Sequence, residues 1–189
     1  DGETRGPRPL SNHEYFIRFA RRLIALLNEM TADGYVFRVD MRLRPLGSDG
    51  PLAVSFGMLE NYFITQGREW ERYAWIKARV VCGDRAQELA DLVRPFVFRR
   101  HLDYSAFESM RGLHAEIRRE VERRDIFDNV KLGPGGIREI EFIVQLFQLV
   151  RGGHDAPLRQ PPTLAVLPLL AERNLLPAAA VSELTAAYV

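Results

Sequence analysis

Four charged side chains recur at every second position of VFRVDMRLRP, residues 36–45: Arg38, Asp40, Arg42 and Arg44. Between them stand Phe37, Val39, Met41 and Leu43. Side chains of an extended chain alternate between two faces, so the spacing predicts a strand over residues 35–44, with one carboxylate among three guanidinium groups on its polar face. Two chemistries are open to such a face. In one, Asp40 makes ordinary ion pairs with Arg38 and Arg42 on a solvated surface. In the other, the carboxylate is a hard oxygen ligand for Mg2+ and the arginines neutralise phosphate oxygens in a bidentate manner. A lone acid makes a poor Mg2+ site, so the second chemistry needs a partner acid, substrate phosphates, or both.

A second constellation is KLGPGGIREIEF, residues 131–142. Gly133, Gly135 and Gly136 lead into a helical pattern just after Lys131, so backbone amides of the turn and of the helix N-terminus offer a place for an anion. The plain alternative is a tight turn between a strand and a helix, with Glu139 as a favourable first-turn acid. The glycine spacing matches neither of the common nucleotide-binding fingerprints. Helical spacing lets Arg138 pair with Glu141 and puts Glu141 and Gln145 on one face. A third stretch, GREWERYAWIKARVVCGD, sets Trp70 and Lys77 on one face and Arg72 and Arg79 on another. Trp70, Tyr73 and Ala74 read as core, while Arg72, Lys77 and Arg79 line either a cleft or a solvated edge.

These residues sit in a chain of 189 residues, 47% hydrophobic, with 26 basic and 25 acidic side chains. That is long enough for one sizeable core, or for one domain and the start of a second. Charges that nearly cancel exclude a global field drawing the protein to nucleic acid or an anionic membrane, so any anion site is local. Only Lys77 and Lys131 are lysines. The planar fork of arginine suits phosphates and carboxylates, although solvated positions such as Arg118, Arg119, Arg123 and Arg124 also carry it, as a GC-rich genome would dictate. One cysteine, Cys82, excludes an internal disulfide framework, and four scattered histidines lack zinc-site spacing. No long apolar run suggests a membrane span and no leader opens the chain, so a reducing cytoplasm is the expected location.

The elements that must position these groups follow from periodicity and punctuation. Residues 1–14 are polar and rich in Gly and Pro, a linker-like start that predicts an excised piece of a longer protein. Ser11 or Asn12 is placed to cap a helix running to about Met30, with Phe16, Phe19, Leu23, Ile24 and Leu27 on one stripe. After the strand, PLGSDGP is a turn and LAVS a short partner strand. Ser55 caps a helix to about Gln66, closed by Gly67. Helices are predicted from Arg68 to Val81, from Asp84 to Arg100 with Pro95 as a kink, and from about Ser105 to Arg124. NVKL reads as a strand, IREIEFIVQLFQLVR as a helix stopped by Gly152 and Gly153, and Thr163 to Val189 as two apolar helices. The predicted class is α+β and predominantly α. Short antiparallel strands lie within residues 15–100 and a helical region follows over 101–189, with a boundary anywhere between residues 85 and 150.

Read together, DGYVFRVDMRLRPLGSDGPLAVSF, QGREWERYAWIKARV, VRPFVFRRHLDYS and DNVKLGPGGIREIEFIVQLFQLVRGG resemble the bacterial bifunctional glutamine synthetase adenylyltransferase/adenylyl-removing enzymes, from about Tyr15 to Leu176. The resemblance implies a nucleotidyltransferase-like domain followed by helices. RVDMRLRP, WERYAWIKARV and GGIREIEF are similar to the N-terminal, adenylyl-removing copy of that domain more than to the C-terminal, transferring one. It implies phosphorolysis of adenylyl-tyrosine on glutamine synthetase to ADP and free tyrosine, with Mg2+ as cofactor and ATP, ADP and phosphate as ligands. PII signalling proteins and glutamine would be the regulatory inputs, with neither nucleic acid nor membrane as partner.

By the same resemblance Asp40 is the third acid of the metal site and a catalytic residue together with Arg42, while Arg38, Arg44, Lys131, Gly135 and Gly136 contact phosphate or nucleotide. The first two acids, in a GS...DxD motif, have no counterpart. GSDG at 47–50 stands after the predicted strand instead of before it. The expectation is therefore a downstream part of the removing domain, inactive by itself. Two alternatives remain open: the transferring copy of the same enzyme, and a non-catalytic helical module that docks glutamine synthetase or a PII protein.

Overall fold

A computed structural model describes residues 2–5, 7–100, 112, 115, 119, 129–131, 133 and 135–189. The chain divides into two compact units, Asp1–Gly67 and Arg68–Val189. Among the described residues it is predominantly α-helical. The only β-type pairings there are two isolated bridges, Glu3 with Ser11 and Thr31 with Gly34.

In the first unit, helix α1 spans Asn12–Asn28, begun by the Ser11 hydroxyl, which accepts the Glu14 N–H at 3.2 Å. Its aromatic and aliphatic stripe, including Phe16, Phe19 and Leu23, is exposed. The strand predicted over residues 35–44 does not form. Instead the amides of Val36 and Phe37 donate to the Leu27 carbonyl at the end of α1, and the Val39 amide donates to Asn28 Oδ1. The segment is irregular from Val36 to Met41 and turns from Arg42 onward. Strict alternation marks two faces, but a strand also needs a neighbour to complete its ladder, and the backbone donors here are taken by a helix end. LAVS, the expected neighbour, is irregular as well. A short 3-10 turn, Gly47–Asp49, leads to helix α2, Phe56–Thr65, which buries Leu59, Tyr62 and Phe63 and is capped by the Ser55 hydroxyl on the Met58 N–H.

The second unit holds helices α3 (Glu69–Ile76), α4 (Ala86–Val97), α5 (Ile137–Arg151), α6 (Thr163–Glu172) and α7 (Ala178–Tyr188). Helix α3 stops at Ile76, well short of Val81, and α4 runs only to Val97, with Pro95 in its last turn. Residues 129–131 form a turn and not the strand read from NVKL. The helix predicted from Ser105 to Arg124 lies largely outside the described residues, of which Gly112, Ala115 and Arg119 are helical. Helix α5 is the centre of the unit: it packs on α3, α6 and α7, and its Val144 joins Leu158, Val166, Leu167, Leu170 and Val181 in one apolar cluster. Burying such side chains contributes about 1.5–3 kcal/mol each.

Candidate functional site

Asp40 is exposed and gripped by a single neighbour. Its Oδ1 accepts the Arg42 backbone N–H at 2.9 Å, and the guanidinium adds Nε to Oδ1 at 3.0 Å, Nε to Oδ2 at 2.9 Å and Nη2 to Oδ2 at 2.6 Å. A charge-assisted fork of this kind favours the ionised acid. The side-chain bonds from Arg42, then its backbone N–H, lower the Asp40 carboxyl to about 2, and the positive charge of Arg38 adds to the effect. The acid is thus a ready anion at any physiological pH.

Arg44 has a different task in this structure. Its Nε donates to the Gly50 carbonyl at 2.9 Å, Nη1 to Met41 at 2.7 Å and Nη2 to Ser48 at 2.6 Å, so one guanidinium ties three carbonyls of the 41–50 loop together. The acceptors are neutral, and the charge of Arg44 keeps no carboxylate partner among these bonds. Beside it lies an open concavity of about 530 Å3 lined by Ile17, Arg21, Arg44, Ser48, Asp49 and Leu52.

For Mg2+, the donor set decides the fit. Among the described residues no three Asp, Glu, His or Cys side chains gather in one place. Asp40 alone, already in a guanidinium fork, offers too few hard oxygens for a cation that demands an octahedral shell. The residues described do not make a Mg2+ site by themselves.

The glycine turn belongs to the second unit. Gly135 has φ of +73°, a conformation that L side chains rarely adopt, and a Cβ on Gly136 would lie 2.6 Å from the Val130 carbonyl oxygen. Both glycines are therefore required by the backbone path. The amide of Gly135, one of those available to an anion, donates to Glu139 Oε2 at 2.8 Å, so the chain's own first-turn acid sits where an external anion would. Lys131 is exposed, and its carbonyl accepts the Arg138 amide at 3.1 Å while Val130 accepts that of Ile137 at 3.0 Å, which zips this segment to the start of α5.

The third stretch holds what sequence reasoning missed. Arg72 is only 1% exposed, neither in a cleft nor on a solvated edge. Its Nε and Nη2 donate to the Val97 carbonyl at 3.1 and 2.9 Å and its Nη1 to Glu69 at 2.6 Å, and Glu69 also meets Arg99 at 3.1 Å. Burial pulls the Arg72 guanidinium downward in pKa and Glu69 opposes it. Glu141 pairs with Lys77 at 3.3 Å, where its spacing on the helix had suggested Arg138. Tyr73 lies parallel to Phe142, ring centres 5.4 Å apart, with its buried hydroxyl left without a hydrogen-bond partner among the described residues. The Glu69–Arg72 spacing of three was a signal for a helical ion pair, but nothing local announced the Val97 carbonyl that buries it.

Comparison with known proteins gives these positions a family. The model for "Glutamate-ammonia ligase adenylyltransferase" matches residues 1–93, and that for "GlnD PII-uridylyltransferase" matches residues 111–189. A bifunctional glutamine synthetase adenylyltransferase/adenylyl-removing enzyme of Chromobacterium violaceum is 65% identical over 99% of the chain, and one of Nitrosomonas europaea is 60% identical over 100%. The chain belongs to the glutamine synthetase adenylyltransferase family. It spans 21% of the length of each of these two relatives. The first unit and the start of the second, to residue 93, lie under the adenylyltransferase model, and residues 111–189 of the second lie under the other. Among the described residues no helix is long and apolar enough to cross a membrane.

Proposed function

We propose that this chain is part of the adenylyl-removing copy of such a bifunctional enzyme, and that the full-length protein cleaves adenylyl-tyrosine on glutamine synthetase with inorganic phosphate. In that reaction a phosphate oxygen attacks the adenylyl phosphorus, the bond to the tyrosine oxygen breaks, and ADP and a free tyrosine hydroxyl result. The single observation that supports it best is Asp40 held ionised between Arg38 and Arg42, in RVDMRLRP, by a fork that lowers its carboxyl to about 2.

Phosphoryl chemistry of this kind depends mostly on positioning and on electrostatic support for charge spread over the transferred group. Asp40 supplies one fixed negative charge. Arg38 supplies positive charge for phosphate oxygens, Arg42 does so where the anion competes with Asp40 for its guanidinium, and Arg44 supplies positive charge fixed by the 41–50 loop. Lys131 with Gly135 and Gly136 is a second phosphate contact, in which an incoming anion competes with Glu139 for the Gly135 amide. Mg2+, which the family resemblance implies, would take Asp40 as one ligand among acids from elsewhere in the full-length protein. PII proteins and the cytoplasm are the corresponding regulatory partner and location.

The test is the fate of labelled inorganic phosphate mixed with adenylylated glutamine synthetase and the full-length protein. Label in the β-phosphate of ADP is the expected result. AMP as the product, or release only in the presence of ATP and glutamine, would contradict the removing assignment.

A further inference from the structure

Two of the stretches that carry the family resemblance meet inside the second unit. Helix α3, from WERYAWIKARV, packs on α5, from GGIREIEF, and Tyr73 stacks on Phe142 across that contact. At its edge Lys77 Nζ lies 3.3 Å from Glu141 Oε1 and donates to Thr163 Oγ1 at 2.7 Å, while the Tyr188 hydroxyl donates to Glu141 Oε1 at 2.9 Å. The end of α3, the first turns of α5, the start of α6 and the end of α7 thus send one polar side chain each to a common hub. Lys77 and Glu141 are each 32% exposed there.

A helical bundle does not require such a hub for stability. A partly exposed ion pair contributes little, and apolar side chains of equal volume pack as well. Of the 26 basic side chains only Lys77 and Lys131 are lysine. A compact ammonium meets the hydroxyl and the carboxylate from a single nitrogen, where a guanidinium would spread the two contacts over a planar fork. Glu141 is also one helical turn beyond the place where Val130 and Lys131 are zipped to α5 by the amides of Ile137 and Arg138. Whatever fixes Glu141 therefore fixes the turn that carries the other lysine.

We propose that Lys77 is a positioning residue: by holding Glu141 it locks the first turns of α5, and through the amides of Ile137 and Arg138 the carbonyls of Val130 and Lys131, in the geometry that presents Lys131 to phosphate. This rests on the phosphate contact assigned above to that turn.

The test is made on the full-length protein with Lys77→Met, the core variant Val181→Ala as a control for lost stability, and the charge-exchanged pair Lys77→Glu with Glu141→Lys. Hydrogen exchange of the Gly136, Ile137 and Arg138 amides is expected to quicken about tenfold in Lys77→Met and to stay unchanged in Val181→Ala. In the removal reaction, Lys77→Met is expected to raise the phosphate KM about tenfold with kcat within about twofold. The exchanged pair is expected to recover part of that loss. Equal exchange in Lys77→Met and Val181→Ala, or a phosphate KM that Lys77→Met leaves unaltered, would overturn the proposal. Should the wild-type protein show no phosphorolysis at all, the functional reading fails by itself, and the exchange measurement still decides whether Lys77 holds the turn.

Discussion

At the scale of single residues, Asp40 and Arg42 make the sharpest statement. Their pair depresses the acid, so its contribution to stability is fully present above the ordinary carboxyl value of 3.8 and is lost as pH falls through about 2. Replacement of Arg42 by Gln removes the main cause of the depression. The Asp40 side-chain carbonyl signal in NMR is then expected to titrate closer to 3.8, and a midpoint still near 2 would show that other groups hold the charge. The pair is exposed, so global stability is expected to change little in the variant. Arg44 differs from its neighbours because its fork is spent on three carbonyls. Arg44→Lys, which keeps the charge and loses the fork, is expected to loosen the 41–50 loop, seen as faster amide exchange at Gly47 and Gly50.

At the scale of elements, helices were legible in the sequence and strands were not. Ser11 and Ser55 begin helices through side-chain hydrogen bonds within one turn, and Gly152 closes α5 with its N–H on the Gln148 carbonyl, so these signals are local. The alternation of residues 35–44 is also local, but a strand exists only through a partner, and here the partner groups are Leu27 and Asn28 of α1. Of the candidate site, the Asp40–Arg42 pair and the glycine turn could be read directly, since their members are adjacent in sequence. Lys77 with Glu141, and Arg72 with Val97, come from distant segments, and single-sequence spacing carries no record of them. Arg72 is where an element depends most on one side chain. Arg72→Ala leaves the Val97 carbonyl buried without its donors and Glu69 with one cation fewer, and is expected to cost about 3 kcal/mol, read from the urea midpoint. A loss below about 0.5 kcal/mol would mean that water or a neighbour replaces the guanidinium.

At the scale of the whole molecule, each of the two units holds one feature on which the proposed removal reaction draws. The first presents an ionised acid among guanidiniums, and the second a glycine turn locked to a helical bundle. With one carboxylate, among the described residues, where Mg2+ chemistry needs several, the 189-residue chain is expected to bind Mg2+ only weakly and to show no adenylyl removal by itself. Calorimetric titration and ADP formation are the measurements, and submicromolar Mg2+ affinity would contradict the donor count. The most direct test of the central claim uses the full-length protein with Asp40→Asn, a nearly isosteric loss of the charge. Removal of adenylyl groups from glutamine synthetase is predicted to fall at least about a hundredfold while ATP-dependent adenylylation continues at its normal rate. An unchanged removal rate, or loss of adenylylation in its place, would contradict it.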